Sequence, residues 1–435
     1  MTSPSELFER FRQNLSVSNA DEISTKYRNI TKRLNLDFWD RESETLNSLQ
    51  IGSYGRRTAI DGISDLDMVF ELPADCLSRY RKLSGNGPSA MLQEVRASLL
   101  KRYNASDIRA DGQVVGVNFS GYRVEVLPAF LDDNGDYIHG DTNNGGSWKL
   151  TKPRPEISAV NALSKRSGSV YKDACRMLRA WKNKVGVGIG GLLIDTLIYN
   201  FFDSNVDFDG CGYGDYPEML VSLFAYLGGL EEQQYWLAPG SNQRVRCKAN
   251  FQAKARKAAR RCQEALDAES TNLQIRLWRK VFGRQFPQAE SVAKADSTVV
   301  GDALDPEQFI EDMFPVDVRY DLELDCEIVK ETMSQQLRRL LAQRKRISTG
   351  RSLRFFVSRT NVVGDYFLYW KVRNRGEIAR RRSQLRGQIE LDKGRGERTE
   401  TADFDGNHYV EAYIVQNGIC VARDRIPVPI TSGGG

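Results

Sequence analysis

The stretch Ile51-Gly52-Ser53-Tyr54-Gly55-Arg56-Arg57-Thr58, followed by Ser64-Asp65-Leu66-Asp67-Met68-Val69-Phe70, decides how the rest of the chain is read. A Gly-Ser turn comes first, and two carboxylates one residue apart then open an apolar run. Residues i and i+2 of a strand face the same side, so Asp65 and Asp67 point together. Two carboxylates on one face are expensive unless a cation neutralises them. A solvated edge strand is the alternative for a single acidic pair. The upstream glycines and a third acid favour a metal site.

That third acid is Glu125. It lies in Tyr122-Arg123-Val124-Glu125-Val126-Leu127-Pro128-Ala129-Phe130, an otherwise apolar strand where an unpartnered carboxylate costs free energy. A ligand role beside Asp65 and Asp67 gives one reason for it, and a salt bridge to Arg123 gives another. Three carboxylates on adjacent strands suit two Mg²⁺ ions about 3.5–4 Å apart. An oxygen-only set favours Mg²⁺, with Mn²⁺ as the alternative, over zinc. The N–H groups of Gly52 and Ser53, with the Ser53 hydroxyl, are placed to cradle the phosphates of a triphosphate. The chemistry expected of this set is nucleotidyl transfer to a hydroxyl, with nucleoside triphosphates as substrates.

The 435 residues suffice for two or three domains, and 40% apolar with 27% charged residues is a globular composition. No apolar run reaches the 18 or so residues of a membrane span. No charged leader followed by an apolar block opens the chain, so no secretory signal is expected. Seven scattered cysteines (76, 175, 211, 247, 262, 326 and 420) include no C-x-x-C pair, which points to a reducing, cytoplasmic setting rather than a disulfide framework or zinc cluster. With two histidines, histidine-based chemistry has little material. From Arg351 onward there are 15 Lys and Arg against 10 Asp and Glu, so the whole net charge of +5 lies there. The neutral remainder speaks against a stable nucleic-acid partner.

In order, helices are expected over 4–15, with Ser5 as cap, and over 20–38 as a spine along the catalytic domain. A short strand, Leu49-Gln50-Ile51, feeds the turn, and residues 66–72 form the acid-bearing strand. A helix over 89–103 precedes a hairpin of strands 113–119 and 122–130 turning at Ser120-Gly121. Residues 132–168 read as loop. Helical patterns then dominate from 169 to 267, with a short helix at 273–281, and 284–308 reads as a linker. A polar helix is expected at 331–346, followed by short strands at 353–357, 366–372, 385–391, 408–415 and 419–422. The domains expected are a catalytic lobe over 1–150, a helical lobe over 151–345, a β module over 352–430 and a Gly tail over 431–435. Tyr366, Phe367, Tyr369 and Trp370 read as β-core, the alternative being a pocket of Trp370 with Arg373 or Arg375.

Gly52-Ser53, Asp65-x-Asp67 and Val124-Glu125-Val126-Leu127-Pro128 resemble the polymerase-β-type nucleotidyltransferases. Within them the chain resembles the bacterial cyclic-oligonucleotide synthases (CD-NTases) of anti-phage CBASS signalling, relatives of cyclic GMP–AMP synthase and oligoadenylate synthase. The resemblance runs to about residue 345. Tyr369–Gly376, Leu385–Ile389 and Asn407–Glu411 resemble the sensor domain appended to some of these enzymes. The implied fold is α+β: a polymerase-β-like domain, a helical second lobe and a small antiparallel β domain. The implied activity joins nucleoside triphosphates into a cyclic di- or trinucleotide that activates an effector. Asp65, Asp67 and Glu125 are the implied metal ligands and catalytic residues. Arg179 and Lys182 are the implied triphosphate contacts. Asp195 falls where an acid or base-reading residue occurs, or is a buried acid paired with an arginine. Gly191-Leu192 replace the family's Ser-Tyr, which leaves base choice open. The terminal Gly433-Gly434-Gly435 is either a loose end or an acceptor for a ubiquitin-transfer-like enzyme. An RNA-tailing enzyme and a catalytically silent nucleotide sensor are the alternatives.

Overall fold

The computed structural model describes residues 3–62, 65–104, 107–119, 121–247, 249–288, 306–330, 333–375, 377–382 and 384–432. Ser64, Ser120, most of the expected linker and the Gly433–Gly435 tail lie outside the described residues. Two compact units are present. The first takes Met1–Trp181, Gly190–Lys248 and Ala255–Pro287, and the second Lys182–Ile189, Ala249–Lys254 and Gln288–Gly435.

The first unit opens with α1 (Pro4–Asn14) and α2 (Ala20–Phe38). The cap of α1 is Ser3, not Ser5: Ser3 accepts from the Glu6 N–H and Glu6 from the Ser3 N–H, with Pro4 at the first helical position. This order follows from Pro4, which lacks an N–H and suits the first turn. Leu7, Phe8 and Phe11 are buried. Strand β1 (Ser48–Gln50), one helical turn α3 (Gly52–Gly55), β2 (Asp65–Glu71), α4 (Ala74–Arg81) and α5 (Gly87–Leu100) follow. Strands β3 (Ile108–Asp111), β4 (Val114–Phe119) and β5 (Tyr122–Leu131) complete the central order β1-β2-β5-β4-β3. Leu66, Met68 and Phe70 of β2 pack on one face with Ile23, Ile30 and Leu34 of α2 and with α5 residues. The acids therefore fall on the other face.

Residues 132–168 are not loop. They form β6 (Tyr137–Asp141), β7 (Ser147–Thr151) and α6 (Pro153–Arg166), with β6 pairing β5 and β7. The Asn-Asn-Gly-Gly cluster is only the hairpin turn between the two strands, and the Pro-Arg-Pro that reads as a breaker is the start of α6. Then come α7 (Val170–Val185), α8 (Gly191–Ser204), α9 (Tyr216–Gly229), a hairpin of β8 (Tyr235–Leu237) and β9 (Arg244–Arg246), α10 (Gln252–Leu266) and α11 (Thr271–Phe282). Phe8 meets Trp278 edge-on at 5.1 Å, and Phe11 meets Phe282 at 4.8 Å. Such pairs add about 0.5–1.5 kcal/mol each beyond burial.

The second unit contains β10 (Leu322–Lys330), β11 (Met333–Gln336), α12 (Leu337–Ala342), β12 (Ile347–Ser348), β13 (Ser352–Thr360), β14 (Phe367–Arg373), β15 (Ile389–Leu391), β16 (Glu397–Thr401), β17 (Gly406–Gln416) and β18 (Ile419–Thr431). They form sheets β11-β10-β13-β16 and β12-β18-β17-β14-β15. Leu324 and Phe355 from one sheet share an apolar core with Trp370, Val410, Ala412 and Ile426 from the other. The unit thus begins well before 352, because β13 needs β10 as its partner. The helix expected at 331–346 shrinks to α12, since Met333–Gln336 pair antiparallel with β10 and pairing overrides local propensity. Trp370 is core, its indole N–H donating to Asp392. Arg373 faces the opposite side of the sheet, so the two do not form one pocket.

Candidate active site

Strands β2 and β5 run parallel, with Asp65 opposite Arg123 and Asp67 opposite Glu125. Neighbouring residues on parallel strands share a face, about 4.8 Å apart. The backbone therefore brings Asp65, Asp67 and Glu125 to one patch of one sheet face, together with Arg123. The Arg123 guanidinium lies 3.4 Å from the Glu125 carboxylate. It crosses Gly116 of β4, where a Cβ would sit 2.2 Å from its Nε, so the missing side chain makes room for it. Burial pushes the Glu125 carboxyl up, Arg123 opposes that, and Asp111 adds to it. Glu125 thus stands in register beside Asp67 and forms the salt bridge to Arg123 that was one of its two expected readings. Among the described residues, no three His, Cys, Asp or Glu side chains converge as a ready-made metal cage.

The Gly-Ser turn is the start of α3. Gly52 has φ +63°, and a Cβ there would lie 1.8 Å from Asp67 Oδ2. The turn is thus held directly against the second acid, and the Ile51 N–H donates to the Asp67 carbonyl at 2.9 Å. Gly52 and Ser53 are the first residues of the turn, where N–H groups have no intrahelical acceptor. Gly52→Ala is expected to combine about 1–2 kcal/mol of left-handed strain with displacement of Asp67. Since a 1 Å misplacement costs on the order of 10²-fold in rate, turnover should fall by about that factor while the thermal transition stays cooperative. Near-normal turnover in this variant would separate the turn from the chemistry.

Behind the turn sits a buried ion-pair node in which Arg56 and Arg179 are the arginine partners left unnamed for Asp195. Asp195 of α8 is fully buried and accepts from Arg56 Nε at 2.8 Å, Arg179 Nη1 at 2.7 Å and Thr58 Oγ1 at 3.0 Å. Burial alone would raise its carboxyl, but Arg179 and Arg56 outweigh that and hold it low. Arg179 also donates to the Cys175 and Gly191 carbonyls. The N–H groups of Thr58 and Ala59 return to the Ser53 carbonyl. The node therefore anchors the segment that leaves the Gly-Ser turn.

Of the residues expected to touch nucleotide, Arg179 and Asp195 are bound to each other out of solvent, and the paired-acid reading of Asp195 is the one that this geometry displays. Lys182 belongs to the second unit, where its buried ammonium donates to Asp317 at 2.7 Å and to the Ile189 carbonyl. Within the first unit, Arg179 and Asp195 are thus held in the ion-pair node. Arg56 and Thr58 were visible in the motif, but their partner lies in a helix more than a hundred residues away.

Residues 1–163 match the family model of the Second Messenger Oligonucleotide or Dinucleotide Synthetase domain, and residues 304–431 match that of the Adenylyl/Guanylyl and SMODS C-terminal sensor domain. A cyclic AMP-AMP-AMP synthase of Acinetobacter sp. (strain ATCC 27244 / 9458) is 20% identical over 263 residues, covering 58% of this chain and 76% of its own length. A probable cyclic nucleotide synthase of Bacillus cereus (strain VD146) is 21% identical over 279 residues, covering 55% and 82%. The solved structure of the E. coli MS115-1 CdnC:HORMA-deltaN complex superposes with a TM-score of 0.50 at 17% identity, over 65% of this chain and 98% of that one; this likeness is one of fold. Joining a synthetase domain to a sensor domain in one polypeptide, the chain belongs to the CD-NTase family of second-messenger nucleotidyltransferases.

Proposed function

We propose that the chain joins nucleoside triphosphates into a cyclic di- or trinucleotide, with Asp65, Asp67 and Glu125 as the metal-holding catalytic residues. The observation behind this reading is the parallel register that sets Glu125 beside Asp67, with Asp65 two residues along the same face and Gly52 packed on Asp67. These carboxylates fit a hard divalent cation, since a buried carboxyl raised by desolvation gains most from a nearby positive charge. Mg²⁺, or Mn²⁺, bound there supplies acidification of the attacking sugar hydroxyl and neutralisation of the triphosphate. Gly52 and Ser53 orient the phosphate chain with their N–H groups, and the Arg56–Asp195 pair keeps that turn in place. Arg123 holds Glu125 in register. We place the reaction in the cytoplasm, in keeping with seven cysteines that form no disulfide among the described residues. No helix among the described residues is long and apolar enough to cross a membrane. A cyclic-nucleotide-activated effector is the proposed consumer of the product, and conjugation of the terminal glycine by a ubiquitin-transfer-like enzyme is a further partner proposal resting on resemblance.

Incubation with the four radiolabelled nucleoside triphosphates and Mg²⁺, then phosphatase and nuclease digestion, should leave a small phosphatase-resistant product that vanishes with EDTA. Extension of added RNA instead would assign the chain to the tailing enzymes. Product formation indifferent to EDTA would exclude the metal assignment.

A further inference from the structure

Glu125 stands between two cross-strand neighbours on its sheet face. On one side is Asp67 of β2, and on the other Gly116 of β4. Gly116 interrupts the run Val114-Val115-Gly116-Val117, in which Val115 and Val117 are fully buried in the core beneath the opposite face. A glycine inside a strand forfeits packing and marks a close approach by another group. Here that group is the Arg123 guanidinium. A Cβ on Gly116 would lie 2.2 Å from its Nε, 2.3 Å from its Nη2 and 2.4 Å from its Cζ. The recess thus seats a cation directly beside Glu125, 3.4 Å from its carboxylate. With 17% and 23% of the two side chains exposed, solvent and salt screen this contact only weakly.

A carboxylate meant to hold metal therefore already has a cation of the chain's own. Arginine keeps its charge at every working pH. A divalent ion gains Glu125 only by displacing the guanidinium or by sharing the carboxylate with it, against their mutual repulsion. Displacement leaves Arg123 among other polar groups. Asn118, opposite Arg123 on β4, donates to Asp107 at 3.0 Å, as does Arg109. The Arg109 hydrogen bond holds the Asp107 carboxyl low, and the Arg123 charge contributes to the same effect from a distance. The guanidinium thus has acids on both sides, with Gly116 giving it room beside Glu125.

We propose that Arg123 is an internal counter-cation of Glu125 that a divalent metal must displace, and that Gly116 is the recess that keeps it in place. This role of Arg123 rests on the carboxylate reading and adds the residue that sets how tightly the metal is held. Mn²⁺ titration of the full chain without nucleotide, read by the EPR signal of free Mn²⁺, tests it. Arg123→Met keeps the bulk and removes the charge. Mn²⁺ affinity is expected to rise about tenfold, as the fraction of Glu125 open to metal grows. Gly116→Ala keeps every charge. The three atoms nearest its Cβ all belong to the flexible end of Arg123, so the guanidinium is pushed aside and affinity should rise similarly. The double variant should gain no more than Arg123→Met alone, because both changes act on one contact. A purely structural Arg123 would leave Mn²⁺ affinity unchanged or weaker while lowering the melting temperature. Unchanged affinity in a folded Arg123→Met chain overturns the proposal, and additive gains in the double variant overturn the role of Gly116. If Arg123→Met loses its cooperative melt, Gly116→Ala carries the comparison. Mn²⁺ binding that survives Asp65→Asn/Asp67→Asn at full strength would instead overturn the carboxylate reading, and this role of Arg123 with it.

Discussion

Replacing Asp65 and Asp67 together by asparagine is expected to lower cyclic-nucleotide synthesis by at least ~10³-fold, since losing even one preorganised electrostatic group at a reacting centre costs about 10²–10³-fold. The side chains keep their size, and β2 keeps its pairing with β1 and β5, so the melting transition should move little. Removing two like charges from one face relieves repulsion and can raise it slightly. Steady-state product formation and a thermal melt on the same preparation read both sides. Synthesis within tenfold of the parent would refute the carboxylate assignment. Lost synthesis together with a collapsed melt would mean only that the strand needs its acids to fold, and Glu125→Gln, on the neighbouring strand, would then decide.

The largest effect on stability is expected from Asp195→Ala. The change strips both Arg56 and Arg179, each about 5% exposed, of their shared carboxylate. Breaking a buried pair by removing one partner costs about 3–5 kcal/mol. Asp195→Asn keeps the shape and some hydrogen bonds and should cost clearly less. Because the Arg56 end of the node fixes the chain just after the Gly-Ser turn, the asparagine variant should still lose turnover through a raised KM for nucleotide, with its fold intact. Urea midpoints and substrate titrations of both variants check this. A denaturation midpoint unchanged in Asp195→Ala would show that the node is not a structural tie. An unchanged KM in Asp195→Asn would show that it does not position the turn.

Much of the catalytic domain was legible because its signals are short-ranged. Leu7, Phe8 and Phe11 announce α1, and the alternation of β2 announces which face holds Asp65 and Asp67. Glu125 stood out as an acid in an apolar strand. The salt bridge weighed for it is present, as Arg123 is two residues away on the same face, and the ligand role is the proposal made above. What stayed open or was misread further along has a common physical cause, partners remote in sequence. For Asp195 the ligand and paired-acid readings stay level until Arg56 and Arg179 are folded against it. Met333–Gln336 look helical until β10 pairs with them. The departures at 132–168 came from Pro and Gly that start a helix and close a hairpin rather than break either.

The aromatic packing of α1 on α11 has a consequence for synthesis. Phe8 and Phe11 leave the ribosome early, whereas Trp278, Phe282 and Phe286, which cover them, follow some 270 residues later. At about 5–20 residues per second, the nascent N-terminal helix waits roughly 13–55 s with its apolar stripe uncovered. The first unit is thus closed last by its own beginning, and a chaperone that holds exposed aromatic segments has its natural opportunity during that interval.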